Sequence, residues 1–107
     1  MRLLIVSTHP HQTTGYAKVS WEILNGLSMT NHDVTHFGFQ RSTKDNNNLA
    51  EQRKIPGNIK SIDVASNFPQ DPNNFGYSII NRVINETDPD IILIYNDSQV
   101  IYNFLNQ

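Results

Sequence analysis

Four apolar residues in succession, Leu3, Leu4, Ile5 and Val6, open the chain and give way to a polar stretch containing Pro10. An unbroken apolar run has no solvent face. It predicts a strand buried on both sides, as the centre of a parallel sheet requires. Residues 8–14 read as a loop. Thr13 or Thr14 can cap the helix that follows, in which Tyr16, Val19, Ile23, Leu24 and Leu27 make an amphipathic stripe. Asp33 to Phe39 predicts a second strand, with Val34, Phe37 and Phe39 as its apolar positions. The polar stretch 40–57 reads as a loop with a helical turn near residues 49–53. A short strand is expected over residues 59–64, and another loop, with two prolines, over residues 65–74.

A second helix is expected to carry Phe75, Tyr77, Ile79, Ile80, Val83 and Ile84 on one broad face. Asp88-Pro89 ends it, because a residue before proline avoids the right-handed helical region. Ile91 to Tyr95 is the most strand-like segment of the chain, Asn96-Asp97-Ser98 a polar turn, and residues 99–105 a last helix. Strands alternating with helices make right-handed crossovers. The prediction is an α/β, Rossmann-like three-layer α/β/α fold with a four-stranded parallel sheet in the order 3-2-1-4, within a single domain over residues 1–107.

Composition narrows the chemistry. The chain has no cysteine, which excludes thiolate metal sites, disulfides and a cysteine nucleophile. Eight basic residues against ten acidic ones give a net charge of −2, unlike a nucleic-acid-binding surface. Five of the basic residues, Arg41, Lys44, Arg53, Lys54 and Lys60, fall within one stretch and read as a solvated face. No apolar run approaches the roughly 20 residues of a membrane span, and a soluble, cytoplasmic protein is expected.

In such a sheet, ligands bind beyond the carboxyl ends of the strands, where the strand order reverses. That point lies between the loop after strand 1 and the turn after strand 4. In the first loop, Thr13, Thr14 and Gly15 stand at a helix N-terminus, with Lys18 one turn further on. They suit an anion, through free N–H groups and a partial positive charge, and they equally suit plain helix capping. The loop lacks both the dinucleotide glycine fingerprint and the P-loop sequence. His9 and His11 have a spacing that can share a metal, with Asp97 as a third ligand, but hydrogen bonding in a polar loop is the commoner use and no metal is expected. His32 and His36 read as ordinary turn and strand residues. Asp97 can orient a hydroxyl or act as a base, and Asn96, Asp97 and Ser98 can also simply cap the last helix.

The ordered set of segments resembles the start of a group 1 retaining glycosyltransferase of the GT-B architecture. Thr14-Gly15-Tyr16-Ala17-Lys18-Val19 is similar to that family's glycine-rich opening of helix 1, with Thr14 in place of a glycine and Lys18 in place of an arginine. Trp21 to Leu27 resembles the continuation of that helix, Asn31-His32-Asp33-Val34-Thr35 the turn into strand 2, and Asp88-Pro89-Asp90-Ile91-Ile92 the lead-in to strand 4. The resemblance implies transfer of a sugar from a nucleotide-sugar to an acceptor hydroxyl, with no further cofactor. It places Gly15 and Lys18 near the donor phosphates and Asn96 and Asp97 on the acceptor side, Asp97 being the catalytic candidate; Thr13, Thr14 and His9 complete the ligand-binding candidates. It further implies a second, donor-binding domain, so the chain is expected to be an N-terminal segment, inactive alone. The alternative is a small non-enzymatic module that binds a phosphorylated ligand or a partner protein. Strand 91–95, at the sheet edge without charge or proline, is expected to pair with another chain unless the last helix folds over it.

Overall fold

The computed structural model describes residues 1–41, 48–71 and 74–107. The elements run β1 (Arg2–Thr8), α1 (Gly15–Ser28), β2 (Asp33–Phe39), α2 (Asn48–Gln52), β3 (Ile59–Asp63), α3 (Val64–Asn67), α4 (Ile80–Thr87), β4 (Ile91–Tyr95) and α5 (Ser98–Leu105). All neighbouring strands are parallel and the order is β3-β2-β1-β4, as the alternation of elements predicts. The expected strand over 59–64 is one residue shorter, because Asp63 caps α3 through a bond from Ala65 N and turns Val64 into a helix. Within the polar stretch 40–57, α2 corresponds to the expected helical turn; Lys44 and Asn46-Asn47 lie outside the described residues.

The central strand separates two unlike layers. Leu4 and Val6 join Phe37, Phe39, Val64, Ile80, Val83, Val100 and Phe104 on one face. Ile5 packs with Leu24, Val34 and Ile59 on the other. The first layer is aromatic: the Phe104 ring stands edge-on to Phe37 at 6.3 Å and to Tyr77 at 4.7 Å, and Phe75 stacks on Tyr77 at 5.1 Å. Edge-to-face and offset pairs each add about 0.5–1.5 kcal/mol beyond their buried area.

Two expectations about helices are corrected. Phe75 and Tyr77 are not part of a helix, since α4 begins only at Ile80. Gly76 lies between them at φ +75, and its backbone passes so close to Phe37 that a Cβ there would sit 2.5 Å from Phe37 Cζ. The chain turns at Gly76 and lays both rings on the aromatic layer before the helix starts. In α1, the buried positions are Ala17, Ser20 and Leu24, while Tyr16 is exposed. Apolar spacing mistakes this face because the helix approaches the sheet through small residues. Helix α5 leans toward Phe37 and Phe39 of β2; Ile94 packs against the same core, and the first three residues of β4 are left exposed. Ile91, Ile92 and Leu93 keep 49%, 40% and 43% of their surface exposed. Among the described residues, no helix is long and apolar enough to cross a membrane.

These contacts fix the expected effect of two glycine substitutions. Gly76→Ala combines a left-handed backbone with a clash against a buried ring, and is expected to destabilise the fold by about 2–4 kcal/mol. Gly26→Ala, in α1 with nothing within 4 Å of the added Cβ, is expected to stabilise it by about 0.5–1 kcal/mol. Urea denaturation of the two variants beside the parent measures both.

Candidate functional site

The carboxyl ends of β1 and β4 meet where the strand order reverses. Asn96 Nδ2 donates to Thr8 Oγ1 at 2.7 Å, which ties the turn after β4 to the end of β1. The Tyr16 and Tyr95 rings meet edge-on at 5.7 Å and join the first turn of α1 to the same strand end. Thr14 is the N-cap residue of α1, but its side chain does not cap. Its hydroxyl and its N–H both donate to Gln12 Oε1. Gly15 is exposed, with nothing within 4 Å of its Cβ position, so the start of α1 is open to an approaching ligand. Thr13, just before that opening turn, and Lys18, one turn into α1, are exposed. Asp97 caps α5, its Oδ1 accepting from Val100 N at 3.0 Å, and the carboxylate remains exposed. Capping, one of the two uses read from the sequence, is the one this geometry displays.

His9 belongs to a different assembly. It is 3% exposed and lies over the ends of β1 and β2 beside His11 and His36, with ring centroids at 4.8 Å and 6.5 Å. The three imidazoles do not gather a metal. His9 Nδ1 accepts from His11 N, and His11 Nε2 donates to the carbonyl of Arg53, so these nitrogens already have partners. Asp97 is engaged at α5, and among the described residues no group of three or more His, Cys, Asp or Glu could hold a metal ion.

His36, an ordinary strand residue by sequence, is the most constrained polar group of the fold. It is fully buried, and its Nε2 lies 2.8 Å from Ser7 Oγ, which accepts from Ser20 Oγ at 2.9 Å. Its Nδ1 has no partner, alone among the buried side-chain polar atoms of the described residues. If Ser7 donates to Nε2, the orphan is an N–H; if Nε2 donates to Ser7, it is a lone pair. Gly38 makes room for the pair: a Cβ there would sit 2.9 Å from His9 Cδ2 and 3.0 Å from His36 Cε1. Sequence carried one signal for this layer. Val34, His36 and Gly38 alternate along β2, so they share a face, and Ser7 is in register with Gly38.

Burial holds both imidazoles neutral. Loss of solvent drives His9 down to about 4, against the pull of Asp63 and with added repulsion from His11 and Arg41. Loss of solvent, reinforced by His9, drives His36 down to about 3. A neutral imidazole here can accept or relay a proton but cannot serve as a fixed cation.

Two of the basic residues read as a solvated face are instead engaged in structure. Arg41 Nε pairs with Asp63, and its Nη2 donates to Ser66 Oγ at 2.8 Å. Arg53 Nη1 donates to the carbonyls of Pro10 and Gln12 at 3.1 and 3.3 Å, while His11 grips the carbonyl of Arg53 in return. Trp21 Nε1 adds a bond to the carbonyl of Lys54. The loop before α1 is therefore fastened to the segment after α2 by side chains that lie about forty positions apart in sequence. A cleft of about 420 Å³ lies at the opposite, amino ends of the strands, among Arg2, Asp33, Lys60 and Glu86. Its charges largely neutralise one another, as in the Lys60–Asp33 pair at 3.3 Å.

Because both histidines have folded values below their ordinary 6.5, the unfolded chain binds more protons as pH falls through that value. Stability is therefore expected to be flat above pH 6.5 and to decline as pH drops from 6.5 toward 4, by about 1.4 kcal/mol per pH unit for each titrating histidine. His36→Gln removes one of the two groups and is expected to halve the slope. Urea midpoints measured across this window check it. Compared with known proteins, the chain matches no family model and no curated protein sequence.

Proposed function

We propose that this chain is the amino-terminal, acceptor-side Rossmann-like part of a GT-B retaining glycosyltransferase. The reading is supported above all by one observation: where the strand order reverses, the turn after β4 is tied to the end of β1 through Asn96 and Thr8, and the first turn of α1 meets the end of β4 through the Tyr16 and Tyr95 rings. In open α/β sheets that crevice is where ligands bind. The donor's diphosphate would face Gly15, whose backbone is unobstructed, with Thr13, Thr14 and Lys18 around it. The acceptor hydroxyl would face Asn96 and Asp97. Transfer breaks the bond between the sugar's anomeric carbon and the diphosphate oxygen. It forms a bond from that carbon to the acceptor oxygen, and the acceptor's proton passes to the oxygen of the departing diphosphate. The Asp97 carboxylate, exposed beyond its capping bond, can orient that hydroxyl. The donor's nucleotide would be held by a second domain.

Titration with UDP or pyrophosphate, followed through backbone amide shifts, tests the reading. The largest shifts are expected at Thr13, Thr14, Gly15 and Lys18, and Gly15→Val is expected to weaken binding about tenfold, or 1.4 kcal/mol. Largest shifts around the cleft at the amino ends of the strands would refute it. Asp97→Asn retains a good cap and is expected to change stability by less than about 0.5 kcal/mol, whereas Asp97→Ala costs about 1 kcal/mol. Thermal denaturation of the two variants separates the cap from the carboxylate.

A further inference from the structure

His9 is held in one protonation state by a bond that a second proton breaks. Its Nδ1 accepts from the backbone N–H of His11 at 3.1 Å, so the ring proton of the neutral imidazole is on Nε2. An imidazolium carries a proton on both nitrogens and accepts nothing. A second proton on His9 therefore goes to Nδ1, where it faces the His11 N–H, donor against donor. His11 meets no such conflict, because its Nε2 donates to the carbonyl of Arg53 in either charge state.

The surroundings give a charged His9 little compensation. Asp63, at the end of β3, favours the charge. Both its oxygens are already engaged, Oδ2 by Arg41 and Ser66 and Oδ1 by Ala65 N. Arg41, after β2, and His11, in the same loop, oppose the charge. From β2 the neighbour is His36, and α1 turns only Ala17, Ser20 and Leu24 inward. The segment after α2 adds the Arg53 guanidinium, at the carbonyls of Pro10 and Gln12.

The loop is also separable from the rest of the fold. It meets the sheet through His9 N, which donates to Phe39 O at 2.8 Å, and Gln12 N turns back onto His9 O at 3.0 Å. Helix α1 has anchors of its own, in the Ser20–Ser7 bond and in Leu24 packed with Ile5. Closure carries a cost besides. A Cβ at Gly38 would lie 2.9 Å from His9 Cδ2 and 3.3 Å from His36 Nδ1, so the His9 ring borders the nitrogen that lacks a partner.

We propose that His9 is a proton-operated latch: as a neutral ring it fastens residues 9–14 to the ends of β1 and β2, and protonation at Nδ1 releases this loop while the sheet and the body of α1 stay folded. The inference rests on the histidine cluster and its bonds, and is independent of the glycosyltransferase reading. Release separates the two facing donors, hands the imidazolium to water and lets water reach His36 Nδ1. It also frees Thr13, Thr14 and Gly15, so the start of α1 is preorganised only while His9 is neutral. Linkage sets the direction. Burial holds the docked ring at about 4, against 6.5 for a free one. Acid therefore favours the open loop, and pH has no effect through this group above 6.5. Between 6.5 and about 4, the ratio of open to closed loop rises about tenfold per pH unit.

Amide hydrogen exchange, corrected for the intrinsic effect of pH, reads the open fraction at the N–H groups of His11 and Gln12, both of which are bonded to His9. Their protection is expected to fall about tenfold per pH unit as pH drops from about 6 to about 4.5. It is expected to stay well below that of the β1–β2 ladder throughout, because the loop opens without the sheet. His9→Asn sets an amide oxygen where Nδ1 stood. It can keep the bond from His11 N and does not titrate, so protection in the loop is expected to lose its pH dependence. His36→Gln is expected to leave the loop's response in place. Loop protection in the parent that ignores pH overturns the proposal. So does loop protection equal to that of the ladder, since the loop would then open only with the whole fold. A response that persists in His9→Asn, or vanishes in His36→Gln, overturns it as well. The parent's exchange decides the matter even where a variant fails to fold.

Discussion

Ser7, next to last in the central strand β1, carries a hydroxyl with no access to solvent. A buried hydroxyl without a partner costs on the order of 1–3 kcal/mol. Much of one face of the molecule follows from satisfying it. Ser20 has to point inward from α1, so that helix presents Ala17, Ser20 and Leu24 to the sheet rather than its largest apolar side chains. His36 has to sit beside Ser7 on the neighbouring strand. Once an imidazole occupies that position, the next residue on the same face of β2 can only be glycine, because His9 closes over the gap. The loop that leads from β1 into α1 is thereby held down at its first residue by buried contacts, and at Pro10 and Gln12 by Arg53.

The opposite face obeys a different rule. There Phe37, Phe39, Phe104, Tyr77 and Phe75 form an aromatic layer, and the buried Thr8 on the same face of the sheet is satisfied by Asn96. Area and ring geometry determine its stability, and Gly76 is the price of fitting Phe75 and Tyr77 above Phe37.

Sequence alone was sufficient for the frame. Both β2 and β4 are legible to the residue, since unbroken or half-alternating apolar runs flanked by polar turns admit few other readings. The strand order follows from the alternation of elements and the handedness of crossovers. What was not legible arises from contacts distant in sequence. Apolar periodicity favours large residues, so it assigned Tyr16 to the inner face of α1 where a close approach admits only Ala17 and Ser20. It extended the second helix back over Phe75 and Tyr77, because rings that pack on a sheet from a turn share a helical spacing by chance. His36 looked ordinary because nothing near it in sequence reveals that Ser7 and Ser20 converge on it. Arg41 and Arg53 looked like solvent charges for the same reason: their acceptors, Asp63 and the carbonyls of Pro10 and Gln12, lie 22 to 43 residues away.

The site read from the sequence divides in the same way. Thr14, Gly15, Asn96 and Asp97 are recognisable locally, because caps and turns are built from near neighbours. That the ends of β1 and β4 lie side by side is a property of the sheet order, which the alternation of elements also supplies. His9 is the exception. By sequence it belongs with the loop that faces a ligand, yet the histidine layer takes it into the interior and keeps it uncharged. An anion at the start of α1 would therefore gain from backbone N–H groups and from Lys18, but not from an imidazolium. A site built this way would hold phosphate weakly by itself.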